Sequence, residues 1–174
     1  MRSGQIGSVV LLFVVALLVL RPWEGADEAA GPARASALVV RAVDGDTLEV
    51  EIEGRREDVR LIGVDTPETV KPDEPVQCFG PQASAFTHSI ADGRRARLLI
   101  GVERRDIYGR LLAYVQFSDP PLDIARRSLN AMLLRRGLAR TLTFPPNDRF
   151  AAPFRRLELR AARAGRGLWD ACGA

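Results

Sequence analysis

Histidine and cysteine are nearly absent from this chain: His88 stands alone, and Cys78 and Cys172 are the only thiols among 174 residues. A zinc centre built on nitrogen and sulfur ligands is therefore excluded. Lysine is equally scarce, with Lys71 the single one, so positive charge rests on arginine. Two accounts of that stand side by side: guanidinium forks suit anionic ligands, and an arginine-rich composition replaces lysine throughout. Internal repeats are lacking, and there is only one long hydrophobic run.

That run, Ile6 to Leu20, follows only Arg2 and the amino terminus, which reads as an export signal or a membrane anchor. Counted from Gly4 to Trp23, it reaches the roughly 20 residues a helix needs to cross a bilayer, with Trp23 at the interface. Arg21, Pro22, Trp23 and Glu24 stand where cleavage would want small residues, so an uncleaved anchor over 1–23 fits better than a cleaved signal peptide. The charge bias then leaves the remaining chain outside the cytoplasm, membrane-tethered, or secreted if the segment is cut. Residues 24–36 are rich in Ala, Gly and Pro without periodicity and read as a flexible linker. The folded domain is expected over 37–174, enough for one compact unit.

Charge divides unevenly within that domain. Residues 38–125 carry 16 acidic and 11 basic groups, whereas 126–174 carry 3 and 11. An acidic pocket beside an arginine-rich surface suits a polyanion held next to a cation. An exported chain with an even cysteine count also allows a Cys78–Cys172 disulfide, two buried thiols being the alternative.

Local patterns give the elements. Ala37 to Val43 is a short apolar run closed by Asp44-Gly45, a tight-turn pair, after which Leu48, Val50 and Ile52 alternate with glutamates. Gly54 turns the chain into a strand over Val59 to Val64, apolar on both faces except at Arg60, which needs an anion nearby. Gly80-Pro81 opens a helix with an Ala83, Phe86, Ile90 stripe, ended by Gly93. Strands follow at Arg97 to Val102 and Leu111 to Phe117. An irregular Ser118 to Arg127 connection leads to a helix at Leu129 to Arg136 terminated by Gly137. A last helix from about Ala151 presents Phe150, Phe154, Leu157 and Ala161 on one face. The predicted class is mainly β with α, a five-stranded OB-type Greek-key barrel with about three helices, a fold that commonly binds oligonucleotides.

Several short motifs remain: VDGDTLEV (43–50), RLIGVDTPET (60–69), DIYGR (106–110), RRGLAR (135–140) and GLW (167–169). Each alone has a structural explanation as a turn, loop or strand start. Together, in this order, they closely resemble the staphylococcal nuclease family over nearly all of 38–169. The resemblance implies calcium ligands at Asp46, Asp65 and the Thr66 carbonyl, and a catalytic trio of Arg60, Glu68 and Arg110. Those residue types suit the chemistry. Calcium takes several oxygens in a forgiving geometry, and an all-oxygen set disfavours zinc. A carboxylate placed by the Thr66-Pro67 turn can orient or deprotonate the attacking water, while two guanidinium forks stabilise charge added to a phosphate. The family pattern further implies cleavage of DNA and RNA that leaves 3′-phosphates.

Departures from that pattern also matter. Where the family has two tyrosines near the base, this chain reads RTLTFPPND (140–148), leaving Phe144 as the stacking candidate. Tyr108 and Tyr114 read first as packing residues, with Tyr108 also a candidate substrate contact. His88 lies outside the motifs, on the first helix, and Trp169 is expected to pack the carboxy-terminal segment against the barrel. No obligate protein partner is evident and a monomer is expected. A nucleic-acid-binding barrel without catalysis is the main alternative, and a tethered structural protein with calcium-binding loops a third.

Overall fold

Alternation decides the barrel. The computed structural model describes residues 33–69, 75–119 and 121–173. In it, strands β1 (Arg34–Ala42), β2 (Thr47–Ile52), β3 (Arg55–Leu61), β5 (Arg95–Arg105) and β6 (Leu111–Gln116) close in the order β1-β2-β3-β6-β5. Inward residues such as Val39, Leu48, Val50, Val59, Leu98, Ala113 and Val115 are fully buried, while the glutamates between them face out. Every barrel pairing is antiparallel except β3 with β6. A two-residue strand β4 (Val64–Asp65) pairs with β7 (Arg140–Thr141) beside the barrel. The five-stranded OB-type expectation holds.

The described residues form five helices, three of them long: α1 (Gly80–Ala91), α3 (Leu129–Arg136) and α4 (Ala151–Arg163); α2 (Ile124–Arg127) and α5 (Leu168–Ala171) are single turns. Ser128 caps α3 by accepting from the Ala131 amide at 3.0 Å, and Gly137 ends it in the left-handed conformation. Gly137 has a second duty. A Cβ there would lie 2.0 Å from the Arg166 carbonyl, so only glycine lets the RRGLAR turn meet the GLW segment, where Leu168 N donates to Gly137 O. Leu168 is the buried anchor of that segment. Trp169 is only half-buried and lies under the Arg140 guanidinium.

Several boundaries differ from expectation, each for a tertiary reason. The first strand begins at Arg34, inside the stretch read as linker, because the long β5 offers Leu99, Leu98 and Arg97 as partners for residues 34–36. Strand β3 starts four residues earlier than Val59, since its charged first half is matched across strands by Arg56 with Glu49 and Glu57 with Arg105. It stops at Leu61 because Gly63, at φ +80°, turns the chain against the Phe154 ring. The connection after Ser118 contains α2. Helix α1 buries Ala83, Thr87 and Ala91, with Phe86 and Ile90 half-buried beside them, so its face is rotated toward a polar residue. The expected anchor, and most of the linker, lie outside the described residues. Among those described, no helix is long and apolar enough to cross a membrane.

Glu158 is the unexpected member of the α4 face, buried between Phe154 and Ala161. Burial opposes its ionisation, but bonds from Thr141 Oγ1 and N and from Arg155 outweigh that and hold the carboxyl below its ordinary value. A depressed folded value stabilises above the unfolded value of about 4.3 and is lost as pH falls through the folded one. Glu158→Gln is therefore expected to cost about 1.5–3 kcal/mol at pH 7. The gap between the urea midpoints of the two proteins should narrow as pH falls below the unfolded value of about 4.3; a gap that stays constant or widens over the whole acid range would contradict this.

Candidate active site

The barrel register brings distant segments together. Thr47, next to Asp46, pairs with Arg60 on β3, and Arg60 in turn pairs with Leu112, two residues past Arg110. Asp46, Arg60, Asp65, Thr66, Glu68 and Arg110 consequently line one cavity of about 550 Å³, with Asp44, Thr47, Asp58 and Tyr108. All six residues named by the motifs meet there.

Arg60 has the anions its apolar strand required. Its Nη2 lies 3.2 Å from Asp46 Oδ2 and 2.9 Å from Asp65 Oδ1, while Nη1 donates to the Leu61 and Val64 carbonyls at 3.0 and 2.8 Å. Asp46 is buried and accepts from Thr66 N at 2.8 Å and Thr66 Oγ1 at 3.0 Å. That turn depends on Gly45, whose Cβ would sit 2.6 Å from Thr66 Oγ1. Gly45→Ala should push Thr66 off Asp46 and reduce turnover at least about tenfold, with about 1–3 kcal/mol of destabilisation from overpacking. Wild-type kinetics in this variant would show that the contact is unimportant.

Arg110 is aimed by Asp106. The Asp106 Oδ2 atom accepts from Arg110 Nε at 2.7 Å, and Oδ1 accepts from the Tyr108 and Arg110 amides, so one carboxylate shapes the DIYGR turn and orients the guanidinium. Glu68 is held at its backbone by Gln77, whose N donates to Glu68 O at 2.9 Å and whose Oε1 accepts from Glu68 N at 3.1 Å. The next residue, Cys78, is bonded to Cys172. Thr87 on α1 donates to Gly45 O at 2.7 Å and fixes the other side of the Asp46 turn. Asn130 on α3 links Ile62 O to Val115 N behind Arg60.

Candidate substrate contacts separate. Tyr114 is packed as expected, its ring 4.9 Å from Phe150, and burial pushes its phenol up to about 12. Tyr108 is not a packing residue: it is 78 % exposed, with Arg110 5.3 Å over its ring. Phe144, also exposed, lines an adjoining apolar hollow of about 460 Å³ that shares Arg60, Tyr108 and Arg110 with the first cavity. His88 lies away from the site and pairs with Asp92.

A family profile described as staphylococcal nuclease homologue matches residues 58–171. The chain belongs to the staphylococcal nuclease family. Among its relatives are a thermonuclease of Staphylococcus intermedius, 36 % identical over 98 % of this chain and 99 % of that one, and a thermonuclease of Staphylococcus hyicus, 33 % identical over 92 % and 95 %. Endonuclease YncB of Bacillus subtilis is 37 % identical over 76 % of this chain and 61 % of its own length.

In this member of the staphylococcal nuclease family, the donor set fits a hard cation. Five carboxylates, Asp44, Asp46, Asp58, Asp65 and Glu68, face two guanidiniums in the cavity, leaving an excess of negative charge. Lost hydration, and then the Asp46 charge, push the Asp65 carboxyl above its ordinary value despite Arg60. Burial does the same to Asp44, with Asp46 adding to it against a hydrogen bond from Thr69. A cation would relieve both. No three acidic, histidine or cysteine side chains among the described residues converge as a cage, so main-chain and solvent oxygens must complete any metal shell.

Proposed function

We propose that this chain is a calcium-dependent endonuclease that hydrolyses phosphodiester bonds of DNA and RNA with little sequence choice and leaves 3′-phosphate ends. Family membership and the names of the relatives support phosphodiester hydrolysis; the cation and the product ends are further steps of this reading. Its main support is the meeting of Asp46, Arg60, Asp65, Glu68 and Arg110, drawn from three separate motif segments, in one cavity.

The residues divide the work by chemistry. Asp46, Asp65 and the Thr66 carbonyl would hold calcium, which supplies Lewis-acid charge beside the phosphate. Glu68 orients the attacking water and takes its proton. Arg60 and Arg110 bind the scissile phosphate and stabilise the charge it gains as the fifth oxygen adds; their permanent charge and fork geometry make them effective donors there. Tyr108 and Phe144 lie where an unstacked base meets the rim, a contact worth about 1–3 kcal/mol per base. Outside the cytoplasm the Cys78–Cys172 bridge would persist, consistent with an exported, membrane-tethered or secreted enzyme acting as a monomer.

Cutting of plasmid and single-stranded DNA by the full chain tests the reading, with calcium, magnesium or a chelator present. Calcium-dependent cleavage abolished by Glu68→Ala, with products that phosphatase treatment converts to 3′-hydroxyls, is expected. Retained DNA binding without cleavage under every cation would instead make the barrel a binding module.

A further inference from the structure

The opposite end of β6 carries a second feature that the reaction does not use. Arg94, Phe117, Arg126, Arg127 and Arg135 line a groove of about 360 Å³ between the end of α1, the exit of β6, α2 and α3. None of these four arginines forms an ion pair among the described residues, a state they share with others such as Arg136, Arg140 and Arg160, whereas Arg60, Arg105 and Arg110 are paired. Two are nevertheless held in place. Arg94 Nη1 donates to Ile90 O at 2.9 Å with its guanidinium 4.9 Å over the Phe117 ring, and Arg135 Nη1 donates to Arg126 O at 3.0 Å.

Four like charges gathered in one concavity repel each other unless an anion shares it. Arginines stand over rings elsewhere too, Arg136 on Phe86, Arg140 on Trp169 and Arg149 on Phe150; what sets this groove apart is that four of them line one concavity. The groove also lacks the feature a bilayer would require. The exposed large apolar side chains of the described residues, Val76, Val102, Ile107, Tyr108, Phe144 and Leu159, all lie outside it, leaving no wedge for lipid tails. Fork-shaped donors around an aromatic floor match a phosphate-sugar backbone.

We infer that this groove is a second nucleic-acid-binding site, which holds the phosphate backbone of a strand whose other part occupies the catalytic cavity. The inference rests on the nuclease reading above for the identity of the strand. Arg110 and Phe117 mark the two sites and are joined by β6, so seven residue steps at about 3.3 Å place them roughly 23 Å apart. At about 3.4 Å per nucleotide along a stacked helical strand, that distance takes about seven nucleotides. Short substrates therefore reach only the cavity, and long ones reach both.

The test compares wild type with Arg126→Gln/Arg127→Gln/Arg135→Gln and with Arg156→Gln/Arg160→Gln/Arg163→Gln, which removes equal charge from the exposed side of α4. Binding of a labelled 20-nucleotide strand is measured in chelator, where no cutting is needed, and cleavage of the 20-mer and of a tetranucleotide in calcium. The groove variant should bind the 20-mer at least about tenfold more weakly, with its log–log salt slope reduced by about 2, as three lost single-strand phosphate contacts require. Its tetranucleotide kinetics should match wild type, which also shows that it is folded. Equal weakening by the α4 variant, an equal loss on the tetranucleotide, or an unchanged 20-mer affinity overturns the inference. Absence of any cleavage by wild type would instead remove the nuclease reading and leave the groove to be judged on strand binding.

Discussion

Arg110→Ala is expected to lower turnover at least about a hundredfold while the folded barrel persists. The asymmetry follows from where the side chain stands. Its Nε is held by Asp106 at 2.7 Å, its Nη1 lies at the limit of contact with Thr47, 3.5 Å away, and the guanidinium borders the cavity. Losing a partly exposed i,i+4 pair costs on the order of 1 kcal/mol of stability at most. Losing a charged donor to a transition-state phosphate costs about 3 kcal/mol, which is the hundredfold. Arg110→Lys should recover little, because an ammonium cannot be gripped at one nitrogen and donate a fork with the others. Thermal unfolding and single-turnover rates on one preparation separate the two effects; near wild-type rates would remove Arg110 from the catalytic set. Arg60 is the poorer probe, since its removal also leaves Asp46 and Asp65 facing each other.

The largest stability effect is expected from the bridge between Cys78 and Cys172. The bonded residues are 94 apart in sequence, and closing a loop of about that length removes roughly 4–5 kcal/mol of chain entropy from the unfolded state. Cys78→Ser/Cys172→Ser should therefore lower the urea-derived stability by about 4 kcal/mol and the melting midpoint by on the order of 15 °C. Turnover should fall as well, because Cys78 immediately follows the residue that grips the Glu68 backbone on both sides. An unchanged urea midpoint would mean that the unfolded chain is already as compact without the bridge.

Local chemistry explains what could be read before folding. The limits of α3 follow from Gly137 and the start of α1 from Gly80-Pro81, because a terminating glycine and a first-turn proline act within a few residues. The ends of β1, β3 and β5 escaped, since each is set by partners at least several residues away across the sheet. The same division runs through the site. Six motif residues were legible because they belong to short segments whose order forms a recognisable pattern, and the fold brings them to one cavity. Their supports were not: Thr87 and Glu158 look like interruptions of apolar stripes, Asn130 like one polar residue in LNAMLL, and Asp106 like a turn residue. Their roles exist only through backbone groups brought near by the fold. Tyr108 was misread as packing for a related reason, because an aromatic beside a glycine turn carries no sign of which way it faces.

The lone parallel seam, between β3 and β6, joins stretches about fifty positions apart, pairing Arg60 with Leu112. Contacts of such long range form late, after their closure entropy has been met. Neither stretch alone can thus bring Arg60 and Arg110 to the one cavity they share. Regain of cutting during refolding should accordingly not precede the structural signal of barrel closure, which also needs the still longer-range pairing of β1 with β5.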